Sequence, residues 1–346
     1  MKKLTNIENS SVPSRIVMKY IDLYQKVGRG ERDIESISDY YSVYHNQALK
    51  NDIKSLFHYG SPDARMTETR EKSIINGTEG IVCKTNDEVH LRNLCRIFDS
   101  IYGPTPFEFV VNEIKDLEIM YSKDTKGLKT GLKKAKNGER SYYDRLDDLI
   151  KEYVKLKREG KTERIYLNVA FFVDFLKLSP FEDANETIAL ILFYVMILGS
   201  DIKSFAYISF FSEILESKDI LKKAISQSFY MYDEGLSDTT ALLSYFLDIM
   251  IKSYDDLSLL ERNRQSDTMI SKFANVENII YKLNETFTKN DIRDALPSVS
   301  DSTIDRVLKK MQDEGKIAPL GRVRGASWVR LDTSYDEKKK FFENFK

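Results

Sequence analysis

The 346 residues carry 53 Lys and Arg against 54 Asp and Glu, a formal charge of −1, and are 42% hydrophobic and 31% charged. That is the balance of an ordinary globular chain long enough for two or three domains; it excludes wholesale wrapping of nucleic acid while leaving room for a local basic patch. Two cysteines, Cys83 and Cys95, make neither a disulfide framework nor a zinc site and suit a reducing cytoplasm, and the start MKKLTNIENSSVPS has no apolar run of the signal-peptide kind, so a cytoplasmic location without a membrane is expected.

In chain order, Ile16, Tyr20, Leu23 and Tyr24 recur at helical spacing over 14–26, and Gly28-Arg-Gly30 predicts a stop. A second helix is expected over 34–56, its tyrosines read as core packing. A third segment, 67–77, contains Lys72-Ser-Ile-Ile-Asn-Gly77 and precedes an amphipathic helix over 87–101. Gly103-Pro-Thr-Pro106 breaks the chain, and a helix over 107–121 follows. Residues 122–140 are rich in Lys and Gly, and Ser141 caps a charged helix to 157.

The next stretch organises the rest. A helix over 162–177 leads through the loop Leu178-Ser-Pro-Phe-Glu-Asp-Ala184 into a helix from Asn185. Across 188–198 the only polar side-chain group is the Tyr194 hydroxyl, so that helix has no face for water. It is well short of the roughly 20 residues that cross a bilayer and reads as a buried core helix. A loop entering its N-terminus is a natural phosphate site, because free N–H groups and the helix dipole favour an anion there.

The loop resembles the Fic (Fido) family, including its Doc branch. The family signature His-Pro-Phe-x-Asp/Glu-Gly-Asn-Gly-Arg-x-x-Arg is met by Pro180, Phe181, Asp183 and Asn185, and Ala184 matches the Doc variant. Ser179 stands at the general-base His, Glu186 at Gly or Lys, and Thr187 and Leu190 at the two Arg. Flanking pieces follow in family order. The 67–77 segment lies where class II members carry an inhibitory helix, with Asn76 at the inhibitory Glu, and 122–140 lies where the family has a hairpin flap on which a target polypeptide rests. On that resemblance Lys129, Lys133, Lys134 and Lys136 are contacts for a polypeptide; on composition they are equally a solvated basic loop.

The tail is separate. Helices are expected over 276–283, 289–296 and 303–312, capped by Thr288 and by Ser300 or Asp301. Two strands, 316–320 and 327–331, then flank Gly321-Arg-Val-Arg-Gly325. This is similar to a winged helix, which would offer Thr303, Arg306, Lys309 and Lys310 to a DNA groove and Arg322 and Arg324 to phosphate. Against DNA, residues 276–332 hold ten Lys and Arg and nine Asp and Glu, and Asp301, Asp305, Asp313 and Glu314 lie on or beside the reading helix; protein contact or a homodimer is the competing use.

The expected fold class is therefore mainly α: an N-terminal helical region (1–64), a Fic-like domain (65–255) with a small β-hairpin flap and the motif loop 178–187, a linker (256–274), a winged helix-turn-helix domain (275–332) and a charged tail (333–346). Family chemistry moves AMP or a phosphoryl group from ATP to a protein hydroxyl, which needs a base, magnesium and groups that grip phosphate. A serine hydroxyl cannot serve as that base near neutral pH, and His45, His58 and His90 lie outside the motif. Asn185, Glu186, Thr187 and Leu190 are the remnant of the nucleotide site, and Asp183 the family's magnesium ligand, although Asp183 and Asn185 also suit loop structuring and N-capping. The resemblance implies an impaired enzyme with no required cofactor, acting as a regulator or scaffold; the alternative is residual transfer with ATP and magnesium.

Overall fold

The computed structural model describes Leu4, Ile7 and residues 12–77, 81–266, 268–296, 299–320 and 327–331. Arg322 and Arg324 lie outside these. The chain forms two compact units, one of Met1–Glu31 with Tyr44–Asp256 and one of Arg32–Val43 with Leu257–Lys346.

The first unit is helical. α1 (Ser14–Ile37) begins in it, followed by α2 (Tyr41–Gly60), α3 (Glu68–Ile75), α4 (Asn86–Ile101), α5 (Val111–Ser122), α6 (Tyr142–Glu159), α7 (Arg164–Leu178), α8 (Asn185–Leu198), α9 (Phe210–Glu216), α10 (Lys218–Phe229) and the first part of α11 (Thr240–Ser266). The buried helix expected from 185 is present: Thr187 to Tyr194, Met196 and Ile197 are all buried. Phe193 stacks on Phe246 at 3.9 Å between ring centroids, and Phe171, Phe172 and Phe175 of α7 are fully buried beside it in sequence order. Aromatic rings of this size supply much of the core's apolar burial.

Several expected boundaries move. α1 does not stop at Gly28-Arg-Gly30 but runs on to Ile37. Buried Ile16 and Leu23, with the Lys19–Asp248 (2.5 Å) and Lys26–Asp255 ion pairs, hold its first half in the first unit, and Ser36 donates to Glu261 at 2.8 Å in the second. Each interior glycine costs about 1 kcal/mol relative to alanine, which such packing outweighs. The helix expected over 34–56 is interrupted by a 3-10 turn at Ser38–Tyr40. The one expected from 107 starts only at Val111, because Phe109 is drawn onto Tyr153 and Phe171, each 5.1 Å away. Residues 1–64 form no unit of their own, and the described residues of the expected linker 256–274 are helical, divided between α11 and α12 (Thr268–Lys282).

The second unit packs α12, α13 (Lys289–Ala295) and α14 (Asp301–Asp313) with an antiparallel sheet of β1 (Thr286–Phe287), β2 (Ile317–Leu320) and β3 (Ser327–Arg330) in the order β1-β3-β2. Pro319 pairs with Trp328 and Ile317 with Arg330. The core is Val276, Ile280, Phe287, Ile292, Val299, Ile304, Val307, Leu308, Met311 and Ile317. Thr288 caps α13 as expected, and with Asp291 it forms a capping box. Both expected strands are present; β1, two residues long, carries too little pattern to be read in advance. Among the described residues no helix is long and apolar enough to cross a membrane.

Candidate functional site

The loop between α7 and α8 is built by its own residues. Ser179 ends α7 in the left-handed region (φ 44°), its N–H donating to Phe175 O at 2.8 Å. The chain then buries Phe181 completely, its ring 6.3 Å from that of Phe175. Asn185 closes the turn: its Oδ1 accepts from Phe181 N–H at 2.9 Å and its Nδ2 donates to Phe181 O at 2.8 Å. Both ends of the Asn185 amide are thus engaged by the loop. Ala184, also left-handed at φ 61°, occupies the N-cap of α8 and offers no side-chain acceptor.

The Lys- and Gly-rich segment lies across this loop, but not as the expected hairpin. A single antiparallel bridge joins Leu132 to Phe181, with Lys133 N–H donating to Pro180 O (2.9 Å) and Glu182 N–H to Gly131 O (3.1 Å). The other half of the pairing that a hairpin would need from its own return strand comes from the motif loop. Lys129 N–H donates to Asp183 Oδ2 at 2.8 Å, and Lys133 Nζ to Ser179 Oγ at 2.8 Å. Lys129, Lys134 and Lys136 stay exposed.

Beneath the segment lies Glu118, fully buried on α5, a residue that the motif reading missed. It accepts from Gly131 N–H at 3.0 Å and from Ser122 Oγ at 2.8 Å, and burial raises its pKa. Gly131 takes φ 104°, a conformation that favours glycine, to reach it. The signal was a carboxylate within the buried stripe Ile114, Leu117, Glu118, Tyr121.

At the first turn of α8, Glu186 accepts from the Tyr59 hydroxyl, and Lys218 sits 4.4 Å over the Tyr59 ring while donating to Tyr59 O at 2.7 Å. Thr187 is buried and hydrogen-bonded to Tyr121. Leu190 is fully buried in the core. His90 is closer to this turn than sequence order implies. A Cβ on Gly60 would lie 2.8 Å from Tyr121 Oη, 3.7 Å from Thr187 Oγ1 and 3.9 Å from His90 Cε1, so all three surround one point. His90 is 5% exposed, burial lowers its pKa to about 4, and its Nδ1 is 3.0 Å from Ser61 Oγ. It is a neutral, packed ring, edge-on to Tyr121 at 4.5 Å. Gly60→Ala forces that cluster apart and is expected to destabilise by about 1–3 kcal/mol, read as a lower urea midpoint at unchanged slope.

His45 and His58 are engaged elsewhere, with Ala206 O at 3.1 Å and Glu71 at 2.9 Å. Asn76 caps the end of α3 and is exposed. In the second unit Thr303 Oγ1 lies 3.0 Å from Ser300 Oγ at the start of α14, and Lys310 leans toward Glu277 (3.9 Å) and Glu314 (3.7 Å). Arg306 and Lys309 are exposed.

By sequence, no family model and no curated protein matches this chain. By structure it is similar to a Fic family protein from Desulfovibrio desulfuricans G20, with a TM-score of 0.54 at 13% identity over 94% of this chain and 98% of that one. A Fic domain containing signaling protein from Bacteroides thetaiotaomicron VPI-5482 gives a TM-score of 0.51 at 14% identity over 71% and 98%. The chain has the Fic fold. At the loop before α8, Ser179 is an alcohol hydrogen-bonded to the Lys133 amine, and Thr187 and Leu190 are buried.

Proposed function

We propose that this chain is a Fic-family protein whose transfer site no longer transfers, and that it works as a regulator or scaffold through a winged helix-turn-helix unit that engages duplex DNA. The observation that carries the first half is the Lys133 Nζ to Ser179 Oγ hydrogen bond at 2.8 Å. The hydroxyl keeps its proton and its lone pair faces a donor, so it takes no proton from an incoming alcohol. Support comes from the rest of the loop. Asn185 spends its amide on Phe181, one Asp183 oxygen accepts from Lys129 N–H, and Glu186 puts a carboxylate where phosphate would meet the helix N-terminus. This donor set does not fit a magnesium-bound triphosphate, and no step is assigned through one.

Incubation of the purified protein with radiolabelled ATP, magnesium and a cell lysate is expected to label nothing, and calorimetry with ATP and magnesium to give no binding heat. Labelling that vanishes in Asp183→Ala would overturn the reading in favour of residual transfer. For the regulatory half, support comes from the three helices and three-stranded sheet of the second unit and from exposed Arg306 and Lys309 on α14. The similar structure from Bacteroides thetaiotaomicron VPI-5482 is described as a Fic domain containing signaling protein.

A further inference from the structure

α14 carries both signs of charge on its surface, and its acidic residues decide whether a phosphate backbone is tolerated there. Asp301 and Asp305 are exposed in its first two turns and, unpaired, would repel a polyanion. Neither is unpaired. Arg293 on α13 grips Asp301 with both arms, Nε to Oδ1 at 2.9 Å and Nη2 to Oδ2 at 2.6 Å, and is itself steadied by Asn290 Oδ1 at 2.9 Å. Lys289, at the start of α13, meets Asp305 at 2.7 Å. On the other flank Lys310 and Lys316 are occupied by Glu277 and Glu314. Along the exposed face this leaves Ser302, Arg306, Lys309 and, at the far end of the helix, Asp313, spaced by four, three and four residues and therefore in one row that carries two cations against one carboxylate. Arg306 and Lys309 make no ion pair among the described residues.

We infer that Lys289 and Arg293 are charge masks: by cancelling Asp305 and Asp301 they turn the reading face of α14 net positive, so that Arg306 and Lys309 can meet the backbone of duplex DNA. They are positioning residues and not phosphate contacts. The inference deepens the DNA reading above and rests on it. Duplex DNA is favoured over an acidic protein surface because the row lies along a single convex helix about 10–12 Å across, which a major groove about 12 Å wide admits.

The test is a double-mutant cycle on the full chain, read as anisotropy of a labelled random-sequence duplex across a salt series. Lys289→Gln is expected to weaken binding about tenfold, because it removes a cation and uncovers Asp305. Lys289→Gln/Asp305→Asn is expected to return to within about twofold of the wild type, and Asp305→Asn to bind at least as tightly as the wild type. Arg306→Ala/Lys309→Ala should lower the salt slope by about two. If the double variant stays as weak as Lys289→Gln, Lys289 is a phosphate contact and the masking role is overturned; an unchanged Lys289→Gln overturns it as well. A wild type that binds no duplex even at low salt removes the DNA reading itself, a different failure. Lys289 is half-buried and Asp305 exposed, and neither belongs to the apolar core of the unit, so circular dichroism of each variant should superimpose on the wild type.

Discussion

Leu190→Arg is expected to unfold the first unit, not to rebuild an anion site. Position 190 is where the resemblance places a phosphate-binding arginine, yet Leu190 is fully buried between Ala189 and Ile191, both also buried, on a helix with no solvent face. A guanidinium there would lose its hydration with no carboxylate brought to it by the hydrogen bonds around the loop. The penalty is several kcal/mol for the uncompensated charge and about 1–3 kcal/mol more for overpacking. Set against a total stability of about 5–15 kcal/mol, that is enough to abolish cooperative folding. Leu190→Met conserves volume and should cost less than about 1.5 kcal/mol, which separates charge from shape. Urea denaturation followed by fluorescence measures both. A Leu190→Arg protein that unfolds cooperatively near the wild-type midpoint would mean that water or a carboxylate reaches this position, and the nucleotide site would have to be reconsidered.

The contrast between Leu190 and Glu118 explains what the sequence made legible. α8 declared itself because every position from Ile188 on is apolar, and the loop because Pro180, Phe181, Asp183 and Asn185 match the Fic signature that it resembles. Loop structuring, one of the two roles open to Asn185, is the one its hydrogen bonds display. The segment over 129–133 was legible as a basic loop but not in its pairing, since the bonds that latch it run between backbone groups of Gly131, Lys133, Pro180 and Glu182, which carry no side-chain pattern. Gly28 and Gly30 misled for the opposite reason. A local propensity of about 1 kcal/mol per residue is a weak prior against tertiary packing, and the partners that hold α1, Asp248 and Asp255 in the first unit, lie more than two hundred residues downstream. Asp301 and Asp305 read as repulsive from their positions alone; their partners on α13 are eight and sixteen residues upstream, beyond any helical spacing.

The other large expectation concerns Asp52, a polar residue in the apolar pattern of α2 whose partners were invisible from the chain. It is completely buried; its Oδ1 accepts from Ser209 Oγ at 2.7 Å and from Phe211 N–H at 2.8 Å, and its Oδ2 from the Tyr194 hydroxyl at 3.2 Å, with Tyr102 Oη 2.7 Å from Tyr194 Oη. Burial outweighs these donors and raises its pKa from 3.8 to about 7. In the unfolded chain the carboxyl loses its proton near pH 4, in the folded one only near pH 7. Its stabilising contribution is therefore complete below about pH 4, declines as pH rises to about 7 and is flat above, a swing on the order of 4 kcal/mol. Asp52→Asn keeps an oxygen for Ser209 and Phe211 and turns an N–H toward the Tyr194 oxygen. The wild type minus Asp52→Asn difference in unfolding free energy should therefore fall across that window and isolate this group from Glu88, which Arg70 holds down at about 2 and whose contribution runs the other way, lost only as pH falls below about 4. Asp52→Ala strands the buried donors and should cost about 3–5 kcal/mol below about pH 4, a cost that shrinks as pH rises to about 7 because the variant has no carboxyl to titrate. A difference curve that is level between pH 4 and 7 would mean that three donors suffice to keep a fully buried carboxylate ionised, reversing the order of the two effects argued here.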